Sequence, residues 1–328
     1  MLSRVANSLY WMSRYIERAE NVARFIDVNA HMTLDLPVGA VEQWDPLVNT
    51  TGDHEKFHER YGTATRENTI KFLAFDPENP NSIVSSLKYA RENARTVRQF
   101  ITAEMWEHVN KFYMMVNSST APLRAVESPH DFFVDIMMAS QLFIGITDAT
   151  MSHGEGWNFC RMARMLERAD KTSRILDVKY FMLLPSVGYV NTPYDDILWG
   201  AVLRSTSAFE MYRKKHQQIS PERVVDFLVL DREFPRAIHH CVIEAEESLR
   251  AISGTPGGTF RNPAEQRLGR VRAELDYLQV DEIIRAGLHE FFDSLQDKLN
   301  DAGQAVFDSF FALRPIQSQL SLQKSSRE

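Results

Sequence analysis

Two stretches of this chain match each other at a constant offset of 150 residues. Arg14-Tyr-Ile-Glu17-Arg18-Ala19-Glu20-Asn-Val-Ala-Arg24-Phe-Ile-Asp27-Val28 aligns with Arg164-Met-Leu-Glu167-Arg168-Ala169-Asp170-Lys-Thr-Ser-Arg174-Ile-Leu-Asp177-Val178. A looser third echo is Ala90-Arg91-Glu92-Asn93-Ala94-Arg95. Both stretches carry apolar residues at three-four spacing, the period of a helix face. In the first, Leu9, Met12, Ile16, Ala19, Ala23 and Ile26 form an apolar stripe; in the second, Phe159, Met162, Leu166, Ala169, Ser173 and Leu176 do. Ala19 and Ala169 at the stripe centres leave room for another backbone. Two long helices of the same design predict an all-α multi-helix bundle with an internal pseudo-two-fold repeat at 14–28 and 164–178.

A second stripe, Trp11, Tyr15, Arg18, Val22 and Phe25, sets Arg18 among large apolar groups, and Arg168 sits likewise between Met165 and Ile175. The third face is polar: Tyr10, Arg14, Glu17, Asn21 and Arg24, against Cys160, Arg164, Glu167, Lys171 and Arg174. Two apolar stripes bury more than half of each helix, so the Glu-Arg pairs are partly desolvated. Neighbours on a helix point about 100° apart, so Glu17 and Arg18 do not face each other. Cross-pairing of Glu17 with Arg168, and of Glu167 with Arg18, is the natural solution. The seven basic and six acidic residues of the two copies nearly cancel. That favours an ion-pair network over a di-metal carboxylate centre, which wants surplus acids and a Glu-x-x-His spacing. A polar binding or catalytic cleft is the competing reading.

The remaining sequence keeps the helical period. Helices are predicted from Ser3 to about Met32, ended by Asp35-Leu36-Pro37, and from Ser82 to about Val116. Others cover about 130–152, 157–184 up to Pro185, 194–218, 221–229, 235–253, 263–277 and 280–313. Short helices and loops fill 34–80. One helical domain over 1–316 with a disordered polar tail at 317–328 is expected.

Composition narrows the function classes. The net charge of −7 argues against nucleic acid as a partner. Cys160 and Cys241 alone exclude a disulfide framework and a four-thiolate zinc site. The charged N-terminus has no signal-peptide core, and the apolar stretch from Phe132 to Ile146 is too short to span a bilayer. A cytoplasmic protein without a membrane partner is expected. No motif for a cofactor or a metal is favoured.

The motifs above resemble the alpha-E family, a bacterial all-helical family named for its Glu-Arg pair. The resemblance rests on Leu2-Ser3-Arg4, Tyr10-Trp11-x-x-Arg14-Tyr15-x-Glu17-Arg18-Ala19-Glu20-Asn21 and Met165-Leu166-Glu167-Arg168-Ala169-Asp170. It extends to Asn81-Ser82-Ile83, Ala90 to Arg95, Trp106-Glu107, Asp231-Arg232-x-Phe234-Pro235-Arg236 and Gly287-Leu288-His289-Glu290-Phe291. It implies companionship with circularly permuted ATP-grasp ligases, transglutaminase-like peptidases and N-terminal-nucleophile hydrolases. The expected role is accessory or scaffold subunit of a peptide or amide-bond ligation system. Arg14, Arg18, Asn21, Arg164 and Arg168 would then bind carboxylate or phosphate groups, with Glu17 and Glu167 orienting them. In the alternatives, Glu17 and Glu167 are the catalytic acid/base groups of a stand-alone amide-chemistry enzyme, or the chain is purely an interaction module.

Other signals are weaker. His54-Glu55-Lys56-Phe57-His58 has the zincin spacing, but polar residues flank it, residue 61 is Tyr and residue 64 is Ala, so a solvated surface helix is the expectation. Gly254-x-x-Gly257-Gly258 follows no strand and precedes no Gly-Lys-Ser/Thr, so it reads as a helix stop. Cys160 and Cys241 read as buried apolar residues, with no dyad between His240 and Cys241. Phe291, Phe292, Phe307, Phe310 and Phe311 read as core, or as a partner surface if exposed.

Overall fold

The computed structural model describes residues 1–32, 44–182 and 193–312. Among them the chain is all-α, with sixteen helices and no strand. In order these are α1 (Ser3–Met32), α2 (Asp45–Thr51), α3 (His54–Tyr61), α4 (Arg66–Ile70), α5 (Ile83–Thr96), α6 (Ala103–Val116), α7 (Ala121–Glu127) and α8 (Pro129–Thr150). Then follow α9 (Glu155–Met182), α10 (Pro193–Ser205), α11 (Phe209–Lys215), α12 (Pro221–Leu230), α13 (Ile238–Ser253), α14 (Pro263–Tyr277), α15 (Val280–Ala286) and α16 (Leu288–Val306). The stops foreseen at Asp35-Leu36-Pro37 and Pro185, and the tail at 317–328, lie outside the described residues.

Side-chain caps open several helices. Ser82, Thr102, Ser220 and Asn262 each accept a hydrogen bond from the backbone N–H three residues on. Three expected long helices are each two. The Ser82–Val116 run breaks after α5, and the Thr102 cap starts α6. The 194–218 run breaks at Ser207, a non-glycine residue with φ +53°. The 280–313 run breaks at Gly287, whose φ of +92° suits a residue without Cβ. Helix α8 is longer than the apolar stretch inside it; its 22 residues reach the length and apolarity of a membrane span. Its buried face, including Phe133, Ile136 and Ser140, packs in the protein against α1 and α6.

Helices α1 and α9 lie against each other at the centre, each with an apolar stripe turned to its own core. Leu9, Met12, Ile16, Ala19, Ala23 and Ile26 are buried with α5, α6 and α8 residues such as Leu87, Phe112 and Phe133. Phe159, Met162, Leu166, Ala169 and Leu176 are buried with α13, α14 and α16 residues such as Val242, Leu268 and Leu295. The polar faces of both long helices are enclosed between the two cores.

Candidate functional site: a buried arginine–glutamate cluster

Across this layer the Glu-Arg pairs are exchanged. Arg168 grips Glu17 with both arms, Nε to Oε1 at 2.9 Å and Nη2 to Oε2 at 2.9 Å. Arg18 grips Glu167 in the same way, at 2.7 and 3.1 Å. The roughly 100° between neighbouring residues makes this exchange possible, since each Glu and its adjacent Arg turn to different sides of the partner helix. Arg14 adds Nε to Glu167 Oε2 at 2.7 Å. Arg236, from the turn before α13, adds Nη1 to Glu17 Oε1 at 3.1 Å and to Asn21 Oδ1 at 3.0 Å, and its Nη2 reaches Glu20. Arg24 Nη2 also binds Glu20, at 2.6 Å, and Lys171 and Arg174 hold Asp170, each at 3.1 Å. Asn21 Nδ2 donates to the Glu17 carbonyl at 2.8 Å, which fixes its Oδ1 toward Arg236.

The turn carrying Arg236 is shaped by Asp231, whose Oδ1 accepts from the N–H groups of Glu233 and Phe234 at 2.9 and 2.7 Å. It is strapped to α9 by Arg168 Nη1 on the Pro235 carbonyl and Thr172 Oγ1 on the Arg236 carbonyl. Arg236 is a cluster residue for which the sequence offers no periodic signal, because it belongs to neither repeated helix. The Asp-x-x-Phe-Pro-Arg pattern was its only mark.

Burial by itself would raise the Glu17 carboxyl, but the guanidinium groups of Arg168 and Arg236 outweigh it and hold the group at about 2. Burial opposes ionisation of Glu167 too, and Arg18 and Arg14 bring it well below the usual carboxylate range. Both are therefore fixed anions near neutral pH, suited to holding cations rather than to carrying a proton. Arg164 has the opposite surroundings. Burial and the nearby Arg168 lower it to about 10, and its Nε is buried without a hydrogen-bond acceptor. Arg24 Nε is likewise buried and unbonded.

The near-neutral balance expected from the two copies does not hold in space. Asp27 and Asp177 turn away to histidines, His130 Nδ1 at 2.9 Å and His289 Nδ1 at 2.8 Å. What remains is Glu17, Glu20, Glu167 and Asp170, with Asp53 reached through Asn81, against Arg14, Arg18, Arg24, Arg164, Arg168, Lys171, Arg174 and Arg236. Basic groups outnumber carboxylates. The cluster ends at a cavity of about 360 Å³ lined by Arg24, Asp27, His31, His130, Met137 and Arg204 among others.

Both thiols are buried, which pushes Cys160 up to about 11 and Cys241 up to about 12; neither is a thiolate at neutral pH. His240 Nδ1 faces the Arg232 carbonyl at 2.9 Å. Of the aromatic run, Phe292 and Phe311 are core, Phe311 packing 5.3 Å from Tyr10 ring to ring, and only Phe307 is exposed. Gly254 closes α13 in a left-handed conformation with φ +67°.

A family model, Alpha-E, described as a predicted alpha-helical domain with a conserved ER motif, matches residues 1–311. Uncharacterised proteins of Mycobacterium bovis and of two strains of Mycobacterium tuberculosis are 22% identical over 335 aligned residues, covering 94% of this chain. The chain spans 37% of the length of these relatives. No solved structure matches it.

Proposed function

The chain belongs to the Alpha-E family, and on that premise we propose that it is an accessory subunit that binds an anionic substrate for an ATP-grasp-linked peptide or amide-bond ligation system. The observation that carries the binding role is the cationic surplus of the buried cluster, with the Nε atoms of Arg24 and Arg164 unbonded. Arginines already gripped by Glu17 and Glu167 have little left to offer a ligand: Arg18 and Arg168 spend every nitrogen on protein acceptors. A substrate carboxylate or phosphate is better served by Arg24 and Arg204, which line the cavity, and by Arg164 in the cluster beside Glu17 and Arg168. The low position of Glu17 and Glu167 speaks for the accessory reading over a stand-alone enzyme using them as acid or base. The ligation context and the ATP-grasp partner rest on the family resemblance.

Two measurements test this. Affinity capture from the native host should recover an ATP-grasp protein in near-stoichiometric amount. Calorimetry with inorganic phosphate and with glutamate should show binding that Arg164→Met and Arg24→Met each weaken by about tenfold, the worth of one charge-assisted hydrogen bond. Arg164→Met should meanwhile be as stable as the parent or more so, since it removes a buried charge with no bonded counter-ion. Undiminished anion binding in both variants refutes the site, and failure to capture an ATP-grasp protein refutes the partner.

A further inference from the structure

The His54-Glu55-Lys56-Phe57-His58 segment forms α3 as the sequence predicts, and its exposure fits a surface helix. The structure adds a third group that the motif does not contain. Asp45, in the first turn of α2, faces both histidines: its Oδ1 lies 2.8 Å from His58 Nε2 and its Oδ2 3.4 Å from His54 Nε2. The two rings are 4.2 Å apart, and one donor atom from each residue falls within 4.8 Å of the others.

The ring of His58 shows why this grouping wants a cation. Its Nδ1 lies 2.7 Å from the Gly62 carbonyl, which can only accept, so Nδ1 carries the proton. In a neutral imidazole Nε2 is then a lone pair, and it points at a carboxylate oxygen 2.8 Å away, also a lone pair. Something must bridge the two lone pairs, a proton or a metal ion. The Gly62 contact is the outer hydrogen bond that metal-binding histidines characteristically make, fixing the tautomer that leaves Nε2 free to ligate. Ligands about 2.0–2.1 Å from a tetrahedral ion lie about 3.3 Å from one another, near the two Asp45–histidine separations.

The site is also held in place. Phe57, fully buried beside the histidines with its ring 5.3 Å from that of His58, packs against Phe72 and Tyr61 at 5.2 and 5.5 Å, which anchors α3 with His54 and His58 facing α2. Asp53, just before His54, accepts from Asn81 Nδ2 at 2.8 Å, and Asn81 Oδ1 in turn accepts from Arg18 at 3.0 Å. The start of α3 is thus tied to the central cluster. A cavity of about 570 Å³ opens beside Asp45 and His58, leaving room for a further ligand such as water.

We propose that His54 Nε2, His58 Nε2 and the Asp45 carboxylate bind a divalent transition-metal ion of the zinc, cobalt or nickel class. Two imidazoles and one carboxylate suit these ions, whereas magnesium and calcium take oxygen ligands.

The test uses the chain without a polyhistidine tag, stripped with chelator and titrated with cobalt(II). The expected result is the visible absorption of low-symmetry cobalt saturating at about one ion per chain, and reversed by zinc. His58→Ala, and separately Asp45→Asn, should weaken binding by at least about tenfold, since even outer partners of metal ligands are worth that much. The other set able to hold an ion, Asp27, His31 and His130, supplies the control, and His130→Ala should bind cobalt as the parent does. Melting curves in chelator establish that each variant is folded, and Asp45→Asn carries the test should His58→Ala not be. Absence of saturable absorption, undiminished binding in the folded Asp45 and His58 variants, or loss of binding in His130→Ala would each overturn the proposal. The first two would leave a proton as the bridge between His58 and Asp45.

Discussion

Replacing Glu17 by glutamine keeps the shape of the side chain and removes its charge. The carboxylate is 1% exposed and accepts two bonds from Arg168 and one from Arg236. Glutamine keeps one acceptor oxygen and turns an amide donor toward guanidinium donors. Arg168 thus loses its counter-ion while Arg236 keeps only Glu20, and breaking a buried pair from one side costs about 3–5 kcal/mol. Proton linkage gives a similar size: lowering the carboxyl from 4.5 to about 2 stabilises the folded state at neutral pH by about 3 kcal/mol. The sign follows from the depressed folded value. This contribution is complete above the ordinary carboxylate range and is lost as pH falls from about 4.5 through about 2. Urea unfolding, followed by far-ultraviolet dichroism and tryptophan fluorescence to check that the transitions coincide, should show Glu17→Gln less stable than the parent by about 3 kcal/mol or more at neutral pH. The deficit should shrink on acidification through that window. Glu274→Gln is the matched control: its partner Lys298 is 2.6 Å away, but the pair is more than 40% exposed, so about 0–1 kcal/mol is expected. A Glu17→Gln loss under about 1 kcal/mol, or one that does not change with pH, would refute the desolvated-pair reasoning.

Two further substitutions probe what positions the cluster. Ala19 is fully buried at the centre of the α1 stripe, so Ala19→Leu should overpack the core and cost about 1–3 kcal/mol in the same urea assay. Gly287 separates α15 from α16 at φ +92°, and a Cβ there would collide with the Glu290 carboxylate. Gly287→Ala should therefore cost about 1 kcal/mol or more, lowering the melting temperature in calorimetry without loss of helical dichroism.

The apolar stripes of α1 and α9 were legible because they follow from period alone, and every named residue of both is buried. The crossed Glu-Arg pairing was legible too, since adjacency on a helix forbids the local pair. Breaks inside long periodic runs were not. At Ser207 and after Thr96 no proline or glycine interrupts the pattern, and the chain turns because the next segment packs elsewhere. Charge balance failed for a related reason: Asp27 and Asp177 find His130 and His289 on helices remote in sequence. Asp45 escaped notice as a partner of His54 and His58 because its approach depends on how α2 folds back on α3.

A layer of charge between two apolar cores is a costly way to join them. Buried ion pairs replaced by well-packed apolar groups are often neutral or stabilising, so stability alone does not account for so many arginines at one interface. One role for such a layer is register: bidentate Arg18–Glu167 and Arg168–Glu17 pairs accept only one alignment of α1 on α9, where sliding apolar faces would tolerate several. Register explains the saturated pairs and stops there. It does not require Arg164, which bonds no carboxylate, or the buried, unbonded Nε of Arg24, whose side chain lines the cavity. These groups raise the energy of the isolated chain and would lower it on meeting an anion. The cluster thus divides into a saturated part that aligns α1 on α9 and an unsaturated part, which the proposed function assigns to an anion. Removing the first should destabilise the protein with or without anion, whereas Arg164→Met should leave stability intact and abolish the stabilisation that the proposed anion confers; Arg24, which also pairs with Glu20, belongs to both parts.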